Sequence, residues 1–566
     1  MMTKTTSTVL QGLLVAMLAT LYINVGSLTQ VFRHGNTNAA LEMSIIDADE
    51  ARYMSRIRQA AVENFFIGNP SLKEHGQGIA PGGVAEWLTA IPMRVFGWDL
   101  ATATLITDLL FPFIVIFLTW CWLYAIFEKP TYALVIICLL LADQWSAPGG
   151  LLRDTTPKIT MIFASLYLCA LFLPKVRTLR HDLLRGVLLG VLFSTYFYHW
   201  TWFFCFEGLL ALWDWRSQRL SFWSFLTRGA VVFVPFGILA LPYVLALHFL
   251  IPADVVATTA EHFSLIPTRF IVAPFLQLKV LLWLVPLAAL VLTGIVKERR
   301  ELLLFLLFVA CLVVVNSNVI TGKEAEFLGH FDRVFKLAWY PAVFICARAL
   351  LPSKFLSRVL WVWVGAFVIL FATIIPHFQW SSAMAAAQYN EKRELISWMD
   401  RLPQGKVIMA PFPLADIIPA VSSQYAFMTT GAHLFFAPEQ ELAERYAAHI
   451  FFFPENAEST AIGTMAVFGN YPGALYSKTR TEFQLRTFYQ KPFPYTQADF
   501  ISNQEHRRYI DAAIAHPDSK QVRSILSRYE LDYLVTTHPV PAVFKKWFVL
   551  KKTIAPYNIY AFVGGE

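Results

Sequence analysis

Polar and apolar positions alternate in long blocks over the first two thirds of the chain. Apolar runs lie at Ser7–Leu28 and near 104–127, 131–142, 159–173, 186–213, 229–251, 274–295, 302–315, 334–351 and 359–376. A helix that crosses a bilayer needs roughly 20 apolar residues. These runs therefore predict membrane-spanning helices, the shorter ones either buried in the bundle or extending into their loops. The first run follows Lys4 and is longer than the apolar core of a signal peptide, so it reads as a retained helix. The run 186–213 is too long for one helix and short for two. Two spans turning near Tyr198-His199-Trp200 put every basic short loop on one face: Glu128-Lys129, Lys175–Arg185, Arg216–Arg228, Lys297–Arg300 and Lys354–Arg358. Basic loops mark the cytoplasmic side, so the expectation is about eleven spans with the N-terminus in the cytoplasm. The outer face then receives the loops 29–99, 143–158, 252–273 and 316–333, and everything after 376.

After Pro376 the pattern becomes that of a soluble domain. Lys406–Ala410 and Leu531–Thr536 read as strands, Glu439–Ile450 and Gln521–Tyr529 as helices, and Val549–Val563 as a terminal hairpin. The fold class expected is an α-helical polytopic membrane protein over 1–376 with a C-terminal α/β extracytoplasmic domain over 377–566.

Composition agrees. The 566 residues are 56% hydrophobic and 15% charged, with a mean hydropathy of +0.51. Soluble domains carry about 25% charge, and the apolar excess here needs lipid as its solvent. The 48 Phe and 17 Trp suit membrane interfaces. The net charge of +7 sits mostly in short orienting loops, which argues against nucleic-acid binding. All six cysteines fall in apolar segments, so neither disulfides nor a zinc site are expected. The chain has no Asn-x-Ser/Thr acceptor with a permitted middle residue. That fits a bacterial inner membrane with the C-terminal domain in the periplasm.

The first outer loop holds the densest chemistry. Ser44-Ile45-Ile46-Asp47 has the spacing of a capping box, which predicts a helix start. Asp47, Asp49 and Glu50 crowd its first turns. The helix dipole favours acids there, and Asp49 reaches Arg52 or Tyr53 at helical spacing. Carboxylates so near a transmembrane bundle can also serve as a general base or ligate a divalent metal. Asp47 and Asp49 with Glu74 and His75, or Glu261 with His262, are the candidate metal ligands. The other outer loops offer Arg153, Asp154 and Lys158, then Arg269, then Lys323, Glu324, Glu326, His330, Asp332 and Arg333. Each set also reads as interfacial salt bridges or a solvated, charged loop. Tyr196, Tyr198, His199, Trp200 and Trp202 read as an interfacial aromatic belt, with a sugar-stacking surface as the alternative.

Asp49-Glu50-Ala51-Arg52-Tyr53 resembles the Asp-Glu-x-Arg-Tyr signature of GT-C membrane glycosyltransferases, in particular the protein mannosyltransferase and lipid A aminoarabinose transferase branch. Phe65–Pro70, Pro81–Ala90 and Phe96-Gly97 match that branch in order, over roughly residues 47–105. That branch carries a Glu-Lys-Pro-Pro type motif before its Trp-Leu; here Gly76–Gly83 has no lysine.

The resemblance implies a GT-C-like fold and a glycosyltransferase of the outer membrane face. The donor would be a sugar linked to a polyprenyl phosphate or diphosphate, and the acceptor a glycan, lipid or protein, among membrane lipids. Asp49, Glu50 and Asp47 would be catalytic. Arg52, Arg153, Asp154, Lys158, Arg269, Lys323, His330 and Arg333 would bind substrate. A divalent metal is a candidate cofactor. The competing classes are a transporter or flippase of a lipid-linked intermediate and a non-catalytic assembly protein of cell-surface glycan synthesis. Transporters favour internal repeats and charges within spans; here no repeat is visible and the ionisable residues gather in outer loops.

Overall fold

In the computed structural model, helices replace the apolar runs and end where polar residues cap them. The structure describes residues 4–35, 37, 48–63, 68–75, 83–142, 152, 155–174, 176, 178–217, 221–262, 266–267, 298–324, 327–351, 358, 362, 365, 392–412, 414–434, 436–454 and 518–564. The first helices are α1 (Lys4–Ile23), α2 (Val25–His34), α3 (Ala48–Val62), α4 (Val84–Phe96), α5 (Leu100–Phe127), α6 (Pro130–Leu140) and α7 (Thr155–Phe172). They are followed by α8 (Leu179–Phe193), α9 (Phe197–Ser217), α10 (Phe222–Phe249) and α11 (Ala253–His262). Next come α12 (Arg299–Val315), α13 (Asn318–Thr321) and α14 (Phe327–Leu350). Asp99 caps α5 by accepting from the Thr102 N–H at 2.7 Å. Capping boxes open α8 at Thr178 and α12 at Glu298.

Among the described residues, five helical segments are long and apolar enough to cross a membrane: Thr6–Ile23, Leu100–Phe127, Thr155–Phe172, Phe222–Phe249 and Arg299–Thr321. The chain is an α-helical multi-pass membrane protein with a C-terminal α/β domain. The expected span 274–295 lies outside the described residues, as does 359–376 apart from positions 362 and 365.

The run 186–213 is two helices. The break falls at Ser194-Thr195-Tyr196, just before the expected turn. Ser194 and Thr195 donate their hydroxyls to the carbonyls of Gly190 and Leu192, at 3.2 and 2.9 Å. Such back-bonding competes with helix continuation. Helices α8 and α10 then pack closely through Gly186 and Gly190. A Cβ at Gly186 would collide with the Val232 backbone, and one at Gly190 with the Leu239 side chain. Small residues four apart let membrane helices approach in this way. One apolar core runs through the bundle, and within it the Trp202 indole donates to the Leu307 carbonyl at 2.7 Å.

The C-terminal domain holds a five-stranded sheet. Its strands are β3 (Val407–Met409), β4 (Tyr425–Ala426), β5 (Leu531–Thr536), β6 (Phe548–Ile554) and β7 (Tyr557–Phe562), numbered after the two-residue strands β1 (Ile266–Pro267) and β2 (Lys323–Glu324). The order is β4-β3-β5-β7-β6, with β3 parallel to both neighbours and β6-β7 the expected antiparallel hairpin. A helix over 392–400 and helices α15 (Leu414–Val421), α16 (Glu439–Phe452) and α17 (Ser519–Arg528) accompany it. Residues 68–75 of the first loop join this domain. Leu72 is fully buried in its core, and the Ser71 carbonyl accepts from the Ala426 N–H at 2.9 Å.

Candidate functional site

Helix α3 begins beside the run of carboxylates, and its third residue, Glu50, turns into the protein. Glu50 is 3% exposed. Its carboxylate accepts from the Thr155 backbone N–H at 2.9 Å and from the Thr155 hydroxyl at 2.6 Å. Thr155 is the first residue of α7, where N–H groups lack intrahelical partners and the helix dipole favours negative charge. Glu50 thus caps a helix 105 positions further along the chain.

One turn into α7, Lys158 is fully buried and its ammonium is bound to Asp108 on α5. The Asp108 carbonyl in turn accepts from the Asn24 amide at 2.7 Å, which ties in the end of α1. Glu86 on α4 is also fully buried, 3.1 Å from Arg56 of α3 and 3.4 Å from the Thr156 hydroxyl. Carboxylates and cations from α3, α4, α5 and α7 therefore meet in one buried polar network. Burial raises the Glu50 carboxyl from 4.5 to about 7; Asp108 adds to that, while Lys158 and Thr155 oppose it. Glu50 consequently exchanges its proton near neutral pH.

The structure brings Glu50 and Lys158 together, two of the residues singled out from the sequence. Asp49 precedes Glu50 within α3, and its side chain lies outside the described residues, as do Asp47, Arg153, Asp154 and Arg269 entirely. Glu261 and His262 end α11, and His330 and Arg333 lie in the first two turns of α14; these are described by backbone only. Strands β1 and β2 pair antiparallel, Ile266 opposite Glu324 and Pro267 opposite Lys323, so the segments beside these two groups of residues are joined.

Other candidates face the C-terminal domain. The Arg52 guanidinium lies against Gly431. Burial holds the Asp416 carboxyl above the usual carboxylate range, and the Thr430 hydrogen bonds and the Arg52 charge oppose it. Helix α15, which carries Asp416, packs on α3. Glu74 and His75 are engaged in the same direction: Glu74 binds Arg445, and His75 Nε2 lies 2.7 Å from Glu441. Arg445 is itself fully buried, 2.8 Å from Glu441 and 3.0 Å from the Phe427 carbonyl. Among the described residues no three His, Cys, Asp or Glu side chains are grouped as metal ligands.

The network also contains residues that sequence reasoning passed over: Asp108, Glu86, Arg56, Thr155 and Asn24. One of them left a readable signal. Asp108 is an acid inside an apolar run, and a charge in a span needs a partner.

No family model matches the chain, and no curated protein matches it. Among solved structures it is similar to ArnT from Cupriavidus metallidurans in the apo state. The TM-score is 0.41 at 13% identity, covering 90% of this chain and 93% of that one. It is also similar to ArnT from Cupriavidus metallidurans bound to undecaprenyl phosphate. There the TM-score is 0.39 at 12% identity, covering 92% of this chain and 96% of that one.

Proposed function

We propose that the chain is a membrane glycosyltransferase that moves a sugar from a polyprenyl-phosphate-linked donor to an acceptor hydroxyl or amine. The observation that carries this reading is the inward turn of Glu50. Glu50, within the acidic motif at the start of α3, is built into the helix bundle through Thr155 and is not a side chain loose in water. The first-loop resemblance to GT-C enzymes supplies the reaction class.

In this reading Asp49 is the general base, and Glu50 positions and tunes it. Asp49 takes the acceptor's proton, and the freed lone pair attacks the anomeric carbon. The carbon–oxygen bond to the lipid phosphate breaks, most simply with inversion, and the phosphate leaves with the electron pair. Cationic side chains neutralise that phosphate. Lys158 is engaged with Asp108 and supports Glu50, so this role goes to Arg153, Arg269, Lys323, His330 or Arg333. These take the place of the lysine missing from 76–83. The donor lipid enters from the bilayer on the outer face, where the C-terminal domain also lies.

The test is a transfer assay on purified Asp49→Asn and Arg333→Ala proteins with a defined polyprenyl-phosphate sugar. Loss of the base lowers turnover by roughly two to four orders of magnitude and leaves donor binding nearly intact. Loss of a phosphate contact weakens donor binding as well. Near-normal turnover in Asp49→Asn sinks the mechanism and leaves a non-catalytic assembly role.

A further inference from the structure

The opposite end of the bundle carries a second charged site. Helix α7 continues from Lys158 to its end at Phe172, which places about 20 Å of helix between the Glu50 network and that end. There the starts of α8, α10 and α12 and the end of α9 enclose a cleft of about 400 Å³. Two carboxylates, Asp182 and Asp214, and two guanidinium groups, Arg228 and Arg299, line it beside the apolar Leu210 and Trp213.

The charges are arranged by depth. Asp182 and Asp214 are buried, Arg228 is half-exposed and Arg299 exposed. Asp182 is fixed by Arg185 at 2.7 Å, and Arg185 lies 3.3 Å from Glu207. Arg228 stands 3.9 Å from Asp214, the outer limit of an ion pair. Among the described residues, the four lining charges cancel. A lone anion or a lone cation would meet as much repulsion as attraction, whereas a molecule carrying both signs would meet partners for each.

The surroundings say where such a molecule comes from. Trp213 and Trp215 near the end of α9 and Trp223 at the start of α10 are 43%, 43% and 75% exposed. Exposed indoles on the ends of apolar helices sit at headgroup depth in a bilayer. The cleft therefore opens among phospholipid headgroups.

We infer that this cleft binds the headgroup of a zwitterionic aminophospholipid. Its phosphate lies between Arg228 and Arg299, its primary ammonium reaches inward to Asp214 and Asp182, and Leu210 and Trp213 meet the first acyl methylenes. A primary ammonium donates three hydrogen bonds to such carboxylates. A trimethylammonium group donates none, so the site selects phosphatidylethanolamine over phosphatidylcholine.

The test uses the full chain, purified and exposed to equal amounts of phosphatidylethanolamine, phosphatidylcholine and phosphatidylglycerol, with retained lipid read by native mass spectrometry. Phosphatidylethanolamine is expected to be retained preferentially. Arg228→Gln combined with Arg299→Gln should lower that retention about tenfold or more, since charge-assisted contacts to the phosphate are lost. Asp214→Asn should shift the preference to phosphatidylglycerol, because the cleft then carries net positive charge. A misfolded variant would lose all lipids alike and could not imitate this exchange; melting curves confirm that each variant is folded. Equal retention of the three lipids by the wild type overturns the inference, and so does an unchanged preference in Asp214→Asn. Retention of millimolar phosphoethanolamine, the soluble headgroup alone, by protein that retains no phosphatidylethanolamine would assign the cleft to a solute and overturn the lipid assignment.

Discussion

Glu50 and Thr155 are joined by two hydrogen bonds from a single residue, a backbone N–H and a hydroxyl converging on one carboxylate. The contact fixes the start of α3 against the start of α7. It also keeps a carboxyl group in the protein interior, where its protonation becomes part of the folding equilibrium.

The first prediction follows from that protonation. Glu50 holds its proton up to about pH 7 in the folded chain, against 4.5 for an ordinary glutamate. Between those values the folded state binds a proton that the unfolded state has released, so stability falls as pH rises through the window and levels off above it. The loss is at most ~3 kcal/mol. Glu50→Gln removes this slope. Melting temperatures of wild type and variant between pH 5 and 8 should converge or cross as pH rises, and parallel curves would contradict the assignment.

A second prediction concerns Lys158 and Asp108. Each is buried, so removing one partner strands the other's charge, at a cost of roughly 3–5 kcal/mol. Lys158→Met and Asp108→Leu should each destabilise strongly. The double variant should be more stable than the sum of the two losses allows. A strictly additive double-mutant cycle would mean that the pair is not coupled.

Helix packing gives a third. At Gly186 any side chain meets the Val232 backbone, which cannot swing aside. Gly186→Val should therefore cost at least roughly 1–3 kcal/mol and lower the yield of folded protein. Gly208, inside α9 with open space at its Cβ position, is the control. Gly208→Ala should be neutral or stabilise by roughly 0.5–1 kcal/mol. Equal losses at both sites, read from melting curves, would refute close packing at Gly186.

The fourth is topological. Reporter fusions after residues 180 and 380 should report opposite compartments, because basic loops stay in the cytoplasm. The same compartment for both would require a different number of spans between them.

Much of this architecture was legible in the pattern of residues. The long helices and the β6-β7 hairpin follow from local signals: apolar length and strand-forming runs. The acids at the start of α3 also stood out, but not which of them turns inward, since that depends on Thr155 far along the chain. The break at Ser194 was readable only to within a few residues, since two hydroxyls and not a proline or glycine end that helix. Partners were the harder part. Lys158 stood out as a cation, yet nothing near it in sequence says that Asp108, fifty positions away, neutralises it. Glu74 and His75 looked like metal ligands beside a membrane. In the folded chain they answer to Arg445 and Glu441, and that choice depends on the C-terminal domain packing over the first loop.

That packing bears on how the protein is made. Asn69 bonds to the Ala432 carbonyl across 363 positions, and Leu72 fills a core whose other members come almost entirely from beyond residue 400. At roughly 5–20 residues per second, a ribosome needs on the order of 20–70 s to supply those partners. Through that interval the segment 68–75 has emerged with the Asn69 amide and the Ser71 carbonyl lacking their final partners and Leu72 without its pocket. The C-terminal domain is likewise incomplete until it closes over a piece of chain synthesised long before it. Completion of this domain is therefore a late event of biosynthesis, and a fragment starting at residue 377 would lack part of its own interior.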